Sequence, residues 1–173
     1  LDVSPAGDFA IAVLRDRSRV VRIPLPGGFQ DPAMLQRTDV TGELIGSVTI
    51  SPDGRRALLY TTAFAVERVT VMDLTASNPL NVIRLRKSVR AVTFAPDGRT
   101  ALVVHDRTPG NPDEAGIDLE TRIDRSFGYT LIEPSAQFAR LQLTPSDVGP
   151  LAIVPDGTHA FVLLRDDARQ IAQ

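Results

Sequence analysis

The sequence contains no cysteine and no tryptophan, and aromatic residues make up only 5% of it. Without cysteine, the chain has no disulfide framework, no thiolate zinc site and no thiol nucleophile. Its 19 basic and 21 acidic residues give a formal net charge of -2, and the two signs are interspersed, so the sequence shows no basic stripe of the kind typical of nucleic-acid binding. The sequence also has no hydrophobic run long enough to cross a bilayer. The chain opens at Leu1 inside a repeat, without an initiator methionine, which predicts that it belongs to a longer protein.

One motif recurs four times along the chain. Each copy is an alternating strand, a tight turn with proline second and glycine fourth, and a second strand that is almost wholly apolar. Proline favours the second position of a type I turn and glycine adopts a left-handed conformation, so each copy predicts a β-hairpin. Since the second strand is apolar on both faces, we expect it to be covered on both faces. The turns are Ser4-Pro5-Ala6-Gly7, Ser51-Pro52-Asp53-Gly54, Ala95-Pro96-Asp97-Gly98 and Val154-Pro155-Asp156-Gly157, followed by Ala10, Ala57, Ala101 and Ala160.

The spacing of these turns indicates the architecture. Successive turns begin 47, 44 and 59 residues apart. A repeat of forty-odd residues with a strand pattern fits one four-stranded propeller blade per repeat, with an insertion in the third interval. We therefore predict an all-β fold, a β-propeller of four-stranded antiparallel blades whose ring is incomplete within this chain. The chain would be a single arc over residues 1–173, with blades at about 1–41, 42–88 and 89–144 and a partial blade at 145–173.

Two segments interrupt the regular pattern. Between Pro26 and Thr41 the strand signal fades, which predicts a long connection with a weakly marked outer strand and an irregular first blade. Between Asp106 and Ser126 there are four acidic residues before Thr121, a Pro-Gly-Asn-Pro cluster and few large apolar side chains. This composition predicts a solvated acidic loop.

We expect function on one face of the propeller. The proline-glycine turns should gather on one face, whereas the connections between second and third strands and between blades should gather on the other. We call this second face the loop face, and binding residues concentrate on such loops. The predicted binding residues are Arg15, Asp16, Arg17, His105, Asp106, Arg107, Arg165 and Asp166. A basic cluster in a link between blades, Arg86, Lys87 and Arg90, could meet an acidic partner but more often marks an ordinary wet surface.

The chemistry that these residues could support is limited. His105 and Asp106 could form an oriented general base, although a single histidine at a strand end is more often a surface residue. The acidic insertion lacks the Asp-x-Asp-x-Asp-Gly spacing of a calcium loop. Gly27-Gly28 is followed by no lysine, unlike a phosphate-binding loop. The sequence therefore predicts no catalytic residue, no metal site and no cofactor.

Two stretches carry a resemblance to a known family of repeats. Ala91–Val104 (Ala-Val-Thr-Phe-Ala-Pro-Asp-Gly-Arg-Thr-Ala-Leu-Val-Val) and Arg68–Leu74 (Arg-Val-Thr-Val-Met-Asp-Leu) resemble the bacterial YVTN and TolB-type, WD40-like propeller repeats. The resemblance covers nearly the whole chain, but its motif is structural and transfers no catalytic residue. It implies a non-catalytic interaction or scaffold domain of a longer extracytoplasmic bacterial protein, with a protein partner or small ligand on the loop face.

The alternative function is enzymatic, either a propeller hydrolase of the lactonase kind or an accessory propeller of a peptidase. A lactonase would need His105 or Asp106 in the central channel beside another acid. Nothing in the sequence converges on such chemistry, so a scaffold is favoured.

A partial propeller leaves its end strands uncovered. Propellers usually close with four to eight blades, and an open arc exposes unpaired strand edges. We expect the ends to be covered by further sequence of a longer chain. A second copy that completes the ring as a homodimer, or another partner, would be the alternatives.

Overall fold

The computed structural model describes residues 1–75, 77, 80–156 and 159–165, which form mainly antiparallel β-sheet. The first sheet contains β1 (Asp2–Val3), β2 (Phe9–Leu14), β3 (Arg19–Pro24) and β4 (Gln36–Asp39). The second contains β5 (Ser47–Ile50), β6 (Arg56–Tyr60), β7 (Arg68–Asp73) and β8 (Leu80–Arg84). The third contains β9 (Val89–Phe94), β10 (Ala101–His105), β11 (Phe127–Glu133) and β12 (Phe138–Thr144), and the fourth contains β13 (Asp147–Ile153) and β14 (Ala160–Arg165).

Each of the first three sheets is a four-stranded blade. Its strands lie side by side in chain order, and all neighbouring strands are antiparallel. The first blade, predicted to be irregular, has all four strands. The fourth sheet contains two strands within the described ranges. The predicted all-β propeller architecture is confirmed, as three blades and a half-blade that form no closed ring in the described part of the chain.

The recurring turns form the hairpins that the sequence predicts. Gly54 has a φ of 67° and donates its N–H to the Ser51 carbonyl at 2.8 Å, and the turns at Gly7 and Gly98 repeat this geometry. In each hairpin, the alanine that follows the turn pairs with the last residue of the preceding strand, as Ala57 pairs with Ile50. Ser51 is buried, and its hydroxyl donates to Asp53 at 2.6 Å. The glycine of the fourth turn, Gly157, lies outside the described residues.

The hydrophobic core lies between blades. On β6, Ala57 and Leu59 pack toward the first blade, in a cluster that includes Ile11. Leu58, on the opposite face of the same strand, packs toward the third blade, in a cluster that includes Val103. The second strand of a central blade is therefore covered on both faces, which explains why its sequence is apolar at successive positions.

The last strand, β14, carries the same apolar sequence without the same covering. Phe161 and Leu163 are 67% and 63% exposed, whereas Leu58 and Val103 in the equivalent strands are fully buried. Among the described residues, β14 has one paired neighbour, β13. Its hydrophobic side chains are exposed because no third strand and no fifth sheet pack against it there.

The two irregular segments contain short helices that the sequence interpretation missed. The predicted long connection after Pro26 forms α1 (Gly27–Gln30) and a 3₁₀ turn (Pro32–Met34) before β4. Asp31 caps that turn by accepting a hydrogen bond from the Ala33 N–H at 2.9 Å.

The prediction that 106–126 is a loop throughout is wrong, because the segment contains α2 (Leu119–Arg125).

No helix in the described ranges is long and apolar enough to span a membrane.

Candidate functional site

The loop face contains a depression at each seam between neighbouring sheets. A small cavity of about 90 Å³ lies between the first two blades. The second depression, of about 510 Å³, lies between the second and third blades, and we call it the blade 2/3 cavity. The third, of about 900 Å³, lies between the third blade and the half-blade, and we call it the blade 3/4 groove. These depressions are lined by connections between second and third strands and by links between blades.

The insertion between β10 and β11 supplies walls to both larger depressions. Asp118 caps α2, because its carboxylate accepts a hydrogen bond from the Thr121 N–H at 2.7 Å. The hydrogen bonds from Thr121 hold the pKa of Asp118 below its usual range. Arg122 contacts Asp113 at 3.3 Å, and Arg125 forms an ion pair with Glu114. These contacts give the acidic insertion a defined conformation over the loop face.

Lys87 anchors the insertion to the link between the second and third blades. It is only 2% exposed, and its ammonium donates hydrogen bonds to the carbonyls of Ile123 at 2.6 Å and Asp124 at 2.8 Å. These carbonyls belong to the last turn of α2, where the helix dipole favours a cation. Desolvation lowers the pKa of Lys87, while Asp124 and Glu67 act in the opposite direction. The interpretation of Lys87 as part of a wet surface is therefore wrong.

The neighbours of Lys87 in the basic cluster form ion pairs, one exposed and one partly buried. Arg86 forms an ion pair with Glu120 of the insertion. Arg90 donates to Asp147 at 2.7 Å and to the Val148 carbonyl at 2.6 Å, which ties the third blade to the half-blade.

His105 lies inside the third blade and is only 2% exposed, so the interpretation as a surface residue is wrong. Its Nδ1 lies 3.0 Å from the Ser88 carbonyl, and its Nε2 lies 2.6 Å from the Thr130 hydroxyl oxygen. Because a carbonyl only accepts, Nδ1 carries the proton and Nε2 accepts from Thr130. Burial lowers the pKa of His105 to about 4. The ring is therefore neutral near pH 7, and its lone pair is already used.

The other predicted residues are distributed among separate seams. Arg15 donates to the Gly46 carbonyl at 3.0 Å across the first seam, and the exposed Asp16 and Arg17 pair with each other at 3.8 Å. Asp106 and Arg107 line the blade 2/3 cavity. Arg107 and Arg165 line the blade 3/4 groove. Asp166 lies outside the described residues.

Arg107 therefore lines two depressions. It shares the blade 2/3 cavity with Asp106 and the blade 3/4 groove with Arg165. Arg122 and Arg125, which also line the blade 3/4 groove, were missed because the insertion was interpreted as a loop. The cap residue Asp118, followed by Leu119 and Ile123 four residues apart, was the sequence signal for a helix there.

The acidic side chains of the insertion are engaged within the protein. Within the described ranges, no group of three histidine, aspartate or glutamate side chains could hold a metal ion. The acidic residues of the insertion instead pair with arginines or cap the helix.

Comparison with known proteins identifies the fold. No protein-family description matches the sequence, and no curated protein matches it. Among solved structures, hydrazine synthase from Kuenenia stuttgartiensis is similar over 93% of this chain and 42% of its own, with 18% identity and a TM-score of 0.61. The Cps50 (Swd1) β-propeller domain of Myceliophteria thermophila is similar over 94% of this chain and 48% of its own, with 13% identity and a TM-score of 0.62.

A TolB candidate from Agrobacterium tumefaciens is similar over 93% of this chain and 51% of its own, with 17% identity and a TM-score of 0.55. The chain therefore spans about half the length of the solved structures it matches. At these identities the likeness shows the fold alone, a partial propeller of the WD40-like or TolB type.

The anchoring role of Lys87 predicts that two similar substitutions have unequal effects on stability. Lys87→Met leaves two helix carbonyls without their cation, so we expect the free energy of unfolding to fall by about 1.5–3 kcal/mol. Arg86→Met is the matched control, because it removes a solvent-exposed ion pair worth at most about 1 kcal/mol. Urea denaturation measures both changes in stability. Hydrogen exchange should show that residues 107–126 lose protection in Lys87→Met but not in Arg86→Met. Equal effects of the two substitutions would contradict the anchoring role.

The lowered pKa of His105 predicts a pH dependence of stability. The unfolded chain takes up a proton near pH 6.5 and the folded chain only near pH 4, so stability falls as the pH drops through this window. From about pH 7 to about pH 5, this single group should remove about 2 kcal/mol. His105→Asn keeps a donor for Ser88 but cannot titrate, so urea midpoints of the variant should change less between the two pH values. An unchanged pH slope in the variant would contradict the assignment.

Proposed function

We propose that this chain is a non-catalytic interaction domain that binds a protein partner or a small ligand on its loop face. The observation that carries the proposal is the pair of adjoining depressions, of about 510 and 900 Å³, that the insertion builds there. Concave sites of this size are typical of ligand binding. The insertion interrupts the repeat, and it is held in place by Lys87 rather than by the pairing of strands.

The lactonase hypothesis depends on His105 or Asp106 acting beside another acid. The Nε2 of His105 accepts a hydrogen bond from the Thr130 hydroxyl, and the side chain is buried inside the blade. A general base must lie within reach of the substrate proton, whereas His105 and its hydroxyl partner Thr130 are only 2% and 1% exposed. His105 therefore fits a structural role, and this supports the interaction domain over the hydrolase.

We further propose that the chain is part of a longer extracytoplasmic bacterial protein. The resemblance to TolB-type repeats supports this location, and the chain spans only about half the length of the solved structures it matches. Within residues 147–165 the half-blade has two strands, and a second copy of the chain would present the same half-blade there rather than the two further strands of a full blade. Completion by further strands of the same protein is therefore favoured over completion by a homodimer.

Site-specific photo-crosslinking tests the loop face directly. A photoreactive phenylalanine analogue replaces Phe64, which is 63% exposed and lines the blade 2/3 cavity. The matched control replaces Phe138, which is 49% exposed on the outer strand of the third blade. In the source organism, we expect discrete adducts from position 64 and none of these from position 138.

Two outcomes would count against this function. One is the same set of adducts from both positions, which would show that the loop face has no preference for a partner. The other is hydrolysis of a lactone panel that is lost in His105→Asn, which would show that the histidine is catalytic.

A further inference from the structure

We propose that the blade 3/4 groove binds an acidic peptide segment of a protein partner through its arginines, with apolar side chains of the peptide against its walls. This proposal rests on the proposed interaction function and names the chemistry of the partner. The groove brings together side chains from three separate parts of the chain. These side chains are Arg107 after β10, Arg122 and Arg125 on α2, and Arg165 at the end of β14.

The charge of the groove is opposite to that of the whole chain. Four arginines and two aspartates line it, so its formal charge is +2, while the full sequence carries -2. Both aspartates are already engaged by guanidinium groups, Asp113 by Arg122 at 3.3 Å and Asp147 by Arg90 at 2.7 Å. Arg125 is also paired, with Glu114 beside the groove. The net positive charge of this concave site favours anionic groups.

Three of the four arginines, Arg107, Arg122 and Arg125, are held by contacts within the protein and still have hydrogen-bond donors to offer. The guanidinium carbon of Arg107 lies 4.3 Å from the centre of the Phe127 ring. Arg122 uses Nε for the Pro112 carbonyl at 3.2 Å and Nη2 for Asp113. A guanidinium group has five N–H donors in a planar fork, which leaves donors for a carboxylate on each side chain. Side chains held in place before binding lose less entropy when they bind.

The walls between the arginines favour a peptide over a simple anion. Pro112, Phe127, Leu143 and Pro145 give the groove apolar surfaces beside its cationic groups. An inorganic phosphate would use the arginines but would leave these surfaces exposed to water. A peptide in which glutamate alternates with an apolar residue satisfies both, and the volume of about 900 Å³ accommodates several of its side chains.

Fluorescence polarisation with the full chain measures this binding. The probe is a fluorescein-labelled hexapeptide of alternating glutamate and leucine, and its control replaces every glutamate by glutamine. We expect saturable binding of the acidic peptide, at least about tenfold weaker binding of the glutamine peptide, and a loss of affinity as the salt concentration rises.

Matched variants locate the binding in the groove. Arg107→Gln and Arg165→Gln should each weaken binding by about tenfold, because each removes a charge-assisted contact. Arg99→Gln removes the same charge from an exposed proline-glycine turn on the opposite face and should change nothing. Asp113→Asn removes a carboxylate that competes with the peptide and should tighten binding, an outcome that disruption of the fold would not produce.

Several results would overturn the proposal. They are the absence of binding at peptide concentrations up to about 1 mM, equal binding of the glutamine peptide, or equal loss of affinity in Arg99→Gln. Saturable binding of inorganic phosphate without binding of the peptide would assign the groove to small phosphorylated ligands instead. If the crosslinks from position 64 persist while the peptide fails to bind, the groove assignment alone is wrong. If both fail, the proposed function fails with it.

Discussion

Burial of each second strand between two neighbouring blades is the interaction on which the structure depends. On β6, Leu59 packs toward the first blade and Leu58 toward the third, and both are almost fully buried. Burial of each such side chain contributes about 1.5–3 kcal/mol, so a blade without a neighbour loses much of its stabilisation. The half-blade shows the consequence, because Phe161 and Leu163 on β14 remain largely exposed.

The geometry of the loop face depends on this packing between blades. The core between blades fixes the links at each seam, and one of these links carries Lys87 under the C-terminal end of α2. Through that contact, the insertion is placed above both the blade 2/3 cavity and the blade 3/4 groove. The site is therefore an addition to the repeat, positioned by residues that the repeat itself does not require.

The sequence predicted those features that depend on residues close together in the chain. The turn at Gly54 and the pairing of Ile50 with Ala57 follow from proline, glycine and alternation within one hairpin. The burial of Lys87 and His105 could not be read in this way, because their partners Ile123 and Thr130 lie 36 and 25 residues further along the chain. The helix α2 had a local signal at Asp118, but the acidic composition around it favoured a loop.

Hydrogen exchange of the strand amides in the 173-residue chain tests the dependence on neighbouring blades most directly. We expect amides of β6 and β10 to exchange slowly, whereas those of β14 should exchange faster by several orders of magnitude, since protection follows local opening. Protection of β14 should then rise when further sequence or a partner covers it. Equal protection of β14 and β10 in a chain that is monomeric by light scattering would show that a half-blade is stable alone, which would contradict the account.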